Sequence, residues 1–171
     1  MFPKFIKLIL AAFTVAFSVY QFVEGAIGNG IFLFLIAGMF ILLYYKNEFI
    51  LLAFLQLRKQ NFEGTVKWLD RISNPEQNLV KKQQGYFNYL HGIILSQTNL
   101  TKAEKYFKKA LDLGLSMDTD LAMANLSLSG IYMQKRRKRE AAFLLNKAKK
   151  LDTQGLLTGQ IKEMQKQMKR I

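Results

Sequence analysis

Two long apolar runs dominate the first quarter of the chain. Residues 8–23 read LILAAFTVAFSVYQFV and residues 31–45 read IFLFLIAGMFILLYY, and neither run contains a charged residue. With their apolar flanks they predict two helices over about 5–23 and 26–45, each close to the roughly 20 residues that a membrane span needs. A short loop rich in glycine separates them. The pattern therefore predicts a transmembrane helical hairpin over residues 1–45.

Small residues within these runs are candidates for the contact between the two helices. The pairs Ala12/Ala16 and Ala26/Gly30 are each spaced four apart, a spacing that lets membrane helices approach closely. The alternative for the first run is a cleaved signal peptide, because that run also begins with basic residues and has small residues near its end.

Basic residues flank the hairpin on one side only. Lys4 and Lys7 precede the first run, Lys46, Arg58 and Lys59 follow the second, and the loop between the runs contains neither Lys nor Arg. Cytoplasmic flanks of membrane spans are enriched in Lys and Arg. We therefore expect an integral membrane protein with two spans and both termini in the cytoplasm. If the protein is bacterial, the membrane is the inner, or plasma, membrane.

The pattern changes after residue 45, where apolar residues recur at spacings of three and four and predict amphipathic helices. Similar blocks occur at 51–72, 89–114 and 126–152. They begin roughly 35–40 residues apart, and a repeat of this length is typical of helical-repeat proteins. Each block predicts a helical hairpin with small residues where its two helices cross and large residues between hairpins. The small residues are Ala53, Gly92 and Ser129 in the first helices and Thr65, Ala103 and Ala141 in the second, and the large ones are Leu69, Phe107 and Leu145.

The blocks resemble the tetratricopeptide repeat (TPR) family over about residues 47–152. The first copy departs from the family pattern at Gln56 and Thr65, and an unrelated helical bundle is the alternative. The middle copy matches the pattern best, at Leu90, Gly92, Leu95, Leu100, Ala103, Tyr106, Phe107, Ala110 and Leu111. The resemblance implies an all-α chain in which the transmembrane hairpin is followed by a TPR-like α-solenoid of about three hairpins.

The predicted domains are 1–45 for the membrane hairpin, 46–154 for the repeats and 155–171 for a C-terminal capping helix. A repeat array needs such a cap, because its last unit would otherwise expose its apolar face. Since no Pro or Gly lies between Gly38 and Gly64, we expect a continuous or barely broken helix from the second span into the first repeat.

Composition argues against several kinds of chemistry. The 171 residues include no Cys and a single His, His91, so thiolate sites and His-rich zinc sites are excluded. His91 is expected to be a packed or half-exposed residue. Asp118, Thr119 or Asp120 is expected to cap a helix rather than to act in catalysis. We expect no enzyme activity, no catalytic residue, no cofactor and no metal.

Charge points to acidic partners instead. The net charge is +13, and nearly all of it lies after residue 45. The most basic run, in the turn of the third hairpin, consists of Lys135, Arg136, Arg137, Lys138 and Arg139. Three interpretations are open for this basic patch: a solvated turn, a contact with anionic headgroups, or a contact with RNA or another acidic partner. Nucleic acid is the weaker idea, because no aromatic residues alternate with the basic ones.

The inner face of a TPR-like stack is formed by the first helix of each hairpin. By resemblance, the residues of this candidate partner groove are Tyr86, Tyr89, Ile93, Gln97, Met123, Leu126, Met133 and Gln134. An apolar, aromatic face of this kind suits an amphipathic helix or an apolar peptide. The alternative is that the capping helix or the first repeat covers these residues, which are then core.

The sequence therefore predicts a membrane-anchored TPR-like protein-binding module, a scaffold or an assembly or accessory factor. Its expected partners are another protein and the lipid bilayer. The alternatives are a permanent small subunit of a larger membrane complex and a membrane factor that contacts RNA or the ribosome through its basic surface.

Overall fold

The computed structural model describes residues 4–45 and 47–170, and within them every regular element is a helix. The predicted all-α class is confirmed. Lys46, on which the predicted orientation partly rests, lies outside the described residues. The ten helices are α1 (Lys4–Val23), α2 (Ile27–Tyr45), α3 (Glu48–Arg58), α4 (Phe62–Leu69), α5 (Pro75–Asn78), α6 (Lys81–Leu95), α7 (Leu100–Leu113), α8 (Asp118–Gln134), α9 (Lys138–Leu151) and α10 (Thr158–Arg170).

The chain divides into two compact units, Met1–Gln83 and Gln84–Ile171. The first unit holds the apolar helices α1 and α2 together with the helix pair α3–α4. The second holds α7, α8, α9 and α10. The division falls inside the first turn of α6, most of which belongs to the second unit.

Helices α1 and α2 pack against each other and are long and apolar enough to cross a membrane, over Phe5–Val23 and Ile27–Tyr44. Their contact uses small residues, as expected, but not all of the expected ones. Ala12 and Ala16 are exposed. Of the other expected pair, Gly30 is buried and Ala26 is partly buried. Further buried small residues on these two helices are Ala11, Ser18 and Ala37, which the sequence did not single out.

Across this contact the Ser18 hydroxyl donates a hydrogen bond to the Gly30 carbonyl oxygen at 2.7 Å. A larger residue at Gly30 would force the ring of Phe22 to move, since an added Cβ would lie 2.7 Å from it. Near the loop end of the pair, a glycine thus makes room for a side chain of the facing helix.

Helix α2 ends at Tyr45 and α3 begins at Glu48, so of the two expected forms, continuous or barely broken, the continuous one is wrong. Asn47 is extended (φ −68°, ψ 127°), and its side-chain oxygen accepts hydrogen bonds from the backbone N–H groups of Phe49 and Ile50. This is the N-cap arrangement that starts a new helix. An asparagine therefore interrupts the helix where no Pro or Gly is present.

Side chains fix this junction within the first unit. The Lys7 ammonium lies 2.6 Å from a carboxylate oxygen of Glu48 and donates to the Leu43 carbonyl oxygen at 3.3 Å. The Gln83 amide donates to the Tyr44 carbonyl oxygen at 3.0 Å. The start of α3 is thereby held beside the N-terminal end of α1 and the C-terminal end of α2.

Each of the three similar sequence blocks lies on a pair of helices: α3–α4, α6–α7 and α8–α9. The small and large residues predicted at the crossings and between hairpins are all buried. In the middle pair an added Cβ on Gly92 would lie 2.9 Å from the ring of Phe107. In the last pair the Ser129 hydroxyl donates to the Ala141 carbonyl oxygen at 2.8 Å. Small residues thus allow close crossing within the hairpins, whereas the solenoid stacking that the resemblance implies stays a prediction.

The C-terminal helix α10 begins at Thr158, three residues later than the predicted segment, and packs on α8 and α9. Asp152 fixes its start, because one carboxylate oxygen accepts from the backbone N–H of Leu157 at 3.0 Å and from the Thr158 hydroxyl at 3.3 Å. The shared core beneath α10 consists of Ala122, Leu126, Leu145, Ala148, Leu157 and Ile161.

Candidate functional site

The predicted inner-face residues differ widely in exposure. Tyr89, Leu126 and Met133 are 4%, 3% and 6% exposed. Tyr86, Ile93 and Met123 are partly buried, and only Gln97 and Gln134 are fully exposed. The apolar members of the set are therefore largely packed inside the protein.

Helix α10 covers part of this set. Leu126 belongs to the core shared with Leu157 and Ile161, and Met123 packs against the same cluster together with Met164. This corrects the assignment of Leu126 and Met123 to an open groove, because a helix of the same chain already occupies the space above them.

The two tyrosines of the set, Tyr86 and Tyr89, make contacts within the second unit. The Tyr86 hydroxyl donates to the Asp120 carboxylate at 2.7 Å and accepts from the backbone N–H of Ser116 at 3.2 Å. Burial, followed by the bond to Asp120, raises the pKa of Tyr86 to about 12. Burial likewise raises the pKa of Tyr89, whose ring packs edge-on against Phe107.

The same contacts correct the expectation of a side-chain cap at the start of α8. The helix begins at Asp118 with Met117 as its N-cap residue, and no side chain caps it. Asp120 lies in the first turn and accepts from Tyr86 instead.

The five basic residues of the patch separate into two groups. Lys135 and Arg137 are held by the nearly buried carboxylate of Glu104 on α7, whose side chain is 11% exposed. The distances from Glu104 oxygens are 2.6 Å to Lys135, 3.2 Å to Arg137 and 2.7 Å to Lys108. Arg137 also pairs with Glu140 and lies over the ring of Tyr132, 4.3 Å from its centroid.

Burial would raise the pKa of Glu104, but the hydrogen bonds and charges of Lys108 and Lys135 outweigh it and lower the pKa to about 2. Glu104 is thus ionised at neutral pH and neutralises part of the basic run. The remaining members, Arg136, Lys138 and Arg139, are exposed.

A cleft of about 450 Å³ lies between α7, α8 and α9, on residues that the sequence did not single out. Phe143, at its edge, is 69% exposed, although it is a large aromatic residue. Charged residues of both signs surround the apolar part. The lining consists of Lys108, Leu111, Asp112, Asn125, Leu128, Tyr132, Arg139, Glu140, Phe143, Leu144 and Lys147.

Asn125 gives this cleft an unusual polar feature. Its side-chain amide N–H donates to the Leu121 carbonyl oxygen at 2.7 Å, but its side-chain oxygen is buried without a hydrogen-bond donor. A buried acceptor without a partner costs about 1–3 kcal/mol. Asn125 and Ser129, four residues apart, are the buried polar residues that α8 carries among its described positions. Ser129 has a partner, so Asn125 was the signal that the sequence carried for this cleft.

Metal-binding clusters of three or more His, Asp or Glu residues do not occur among the described residues. His91 is packed between aromatic rings, with its ring centroid 4.5 Å from that of Phe87 and 5.1 Å from that of Tyr106.

No protein-family model, curated protein or solved structure matches this chain.

Proposed function

We propose that the protein is a membrane-anchored, TPR-like interaction module whose hairpins bind a segment of another protein at the cytoplasmic face of a membrane. The observation that supports this most strongly is the cleft between α7, α8 and α9. It combines an exposed aromatic side chain, Phe143, with a buried acceptor, Asn125, that has no partner.

The anchor is supported by where the exposed apolar surface lies. Most of the large apolar side chains that are exposed among the described residues belong to α1 and α2, including Phe13, Val23 and Leu35. An apolar surface of this extent is costly in water and is typical of segments that face lipid. Among the described residues of the second unit, 84–170, only Met117, Phe143 and Leu156 are of this kind.

The chemistry of the cleft indicates the kind of segment that fits. Leu111, Leu128 and Leu144 favour an apolar side chain of the partner, and Asn125 leaves an unsatisfied acceptor buried beneath them. Charged residues on the rim provide specificity more than affinity. An amphipathic helix with one apolar stripe meets these requirements.

The proposal is tested by site-specific photocrosslinking in the cell that naturally produces the protein. A photoreactive phenylalanine analogue replaces Phe143 in one variant and Leu156 in another. Leu156 is the matched control, because it has the same exposure of 69% in the same unit but lies outside the cleft. We expect a discrete protein adduct from position 143 and none from position 156.

A second variant tests whether formation of the adduct depends on the cleft. With the analogue kept at position 143, Leu144→Ser should reduce the adduct, because an apolar wall of the cleft is lost. Absence of an adduct at position 143, or equal adducts at both positions, would contradict the proposal.

A further inference from the structure

A second surface of the same unit is lined by lysines. Lys162, Lys166 and Lys169 lie on α10, and Lys138 begins α9 beside them. The spacings of four and three place the α10 lysines on one helix face. With Gln165 and Met168 these residues line a groove of about 760 Å³, which we call the lysine groove.

Helix α10, which carries three of the groove lysines, packs against the core of the second unit. Ile161 of α10 is buried, and Met164 and Met168 pack against the core that α10 shares with α8 and α9. The three lysines of α10 therefore project from a helix whose opposite face is fixed.

The charges of the groove are not compensated. Among the described residues, no carboxylate forms an ion pair with Lys138, Lys162, Lys166 or Lys169, in contrast to Lys135 and Arg137, which Glu104 holds. Lys138 is also at the N-terminal end of α9, where the helix dipole disfavours a cation. Both effects favour an anion in the groove.

The lining also distinguishes between anionic partners. Lysines act as hydrated point charges and lack the fork with which arginine binds a phosphate in two places. None of the described residues that line the groove is an aromatic on which a nucleic-acid base could stack. A fluid layer of anionic headgroups needs neither feature, since it is attracted by charge density.

We propose that the lysine groove binds the anionic phospholipid headgroups of the membrane that holds α1 and α2. This inference rests on the membrane anchor of the proposed function. Because α1 and α2 anchor the chain in this membrane, the effective concentration of headgroups at the lysine groove is high even without any additional interaction. Each basic residue near an anionic surface multiplies the binding constant by about five. Four such residues therefore suffice when the protein is anchored in the same membrane.

The test uses the full chain in nanodiscs of neutral phosphatidylcholine, with or without anionic phosphatidylglycerol. Acetylation rates of individual lysines are measured by mass spectrometry, and Lys147 and Lys150, which are exposed on α9 outside the groove, are the internal reference. Relative to that reference, we expect the groove lysines to react at least about fivefold more slowly in anionic discs. The protection should disappear at high salt, because screening removes the attraction.

Two variants with the same change in charge provide the control. K162Q/K166Q/K169Q should abolish the protection of Lys138. K102Q/K105Q/K149Q, which replaces three exposed lysines outside the groove and keeps both reference lysines, should leave it unchanged. Equal losses in both variants, or protection that does not depend on anionic lipid, would overturn the proposal. So would stronger protection by RNA in neutral discs than by anionic lipid.

Insertion into the discs is measured in the same samples by flotation. A protein that inserts without protection of the groove lysines refutes the lysine groove alone. A protein that fails to insert refutes the anchor, and the inference that rests on it is lost as well.

Discussion

Lys135 Nζ lies 2.6 Å from Glu104 Oε2, although the two residues are 31 positions apart in the chain. The contact joins the turn between α8 and α9 to the helix α7 of the preceding hairpin. Lys108, one turn after Glu104, pairs with the other carboxylate oxygen at 2.7 Å. A single carboxylate thus connects neighbouring hairpins and decides which residues of the basic run remain available to partners.

Glu104→Gln should destabilise the second unit at neutral pH. The change leaves the ammonium groups of Lys108 and Lys135 without their anion, and we expect a loss of about 1–2 kcal/mol. Because the pKa of Glu104 is lowered from 4.5 to about 2 on folding, its contribution is fully present above pH 4.5 and is lost as the pH falls towards 2.

The measurement is hydrogen exchange of α8 and α9 peptides at pH 7 and pH 3 in the full chain. The difference between the wild type and the variant should be larger at pH 7. Glu140→Gln is the control, because the side chain of Glu140 is 49% exposed and its pair with Arg137 should contribute less. An E104Q effect that does not change with pH would contradict this account.

Tyr89→Ser/Met123→Ser should lower the melting temperature strongly, since Tyr89 is buried and Met123 packs beneath α10. Removal of large buried side chains costs about 2–5 kcal/mol each, which for a unit of this size corresponds to a shift on the order of 10 °C or more. Gln97→Ser/Gln134→Ser is the control from the same predicted face, and both of its residues are exposed. A small shift in the melting temperature of the Tyr89/Met123 variant would contradict their burial and favour the interpretation as an open partner groove.

The turn at Arg136 should gain stability from glycine. Arg136 has a φ of +58°, in the left-handed region that favours glycine, and Gln60 has nearly the same value, +57°, in the α3–α4 turn. Arg136→Gly and Gln60→Gly should each be neutral to about 1 kcal/mol more stable, because relief of backbone strain exceeds the added flexibility of the unfolded chain. Thermal unfolding followed by circular dichroism measures the effect. Destabilisation by either change would show that the side chain contributes more than the strain costs.

The distribution of Lys and Arg predicts that the C-terminus lies in the cytoplasm. In a bacterial host, a green fluorescent protein fused after Ile171 should be fluorescent and an alkaline phosphatase fused there should be inactive. Fusion of the phosphatase after Gly25, in the loop between α1 and α2, should give the opposite result. Phosphatase activity from the C-terminal fusion would refute the predicted orientation.

The sequence by itself determined the features that depend on neighbours along the chain. The apolar runs locate α1 and α2 to within about a residue, because length and absence of charge are local properties. The spacing of small and large residues likewise identified three helix pairs and the residues buried in them, such as Ala53, Gly92 and Ser129.

One error at the local level was avoidable. The continuous helix through residues 46–48 was inferred from the absence of Pro and Gly. Asn47 breaks it, however, because an asparagine side chain can replace the missing backbone acceptors at a helix start. Asn61 and Asn99 start α4 and α7 in the same manner, so the N-cap signal was present throughout the sequence.

Only the tertiary structure decided which surfaces are free. Helical periodicity shows that one face of α8 is apolar, but not that α10 covers Met123 and Leu126 there. Nor does a run of five basic residues show that Glu104, more than thirty positions away, holds two of them, whereas Lys138 joins the lysines of α10. The physical reason is that periodicity depends on backbone geometry within one helix, whereas occlusion and ion pairing depend on distances between helices that are remote in sequence.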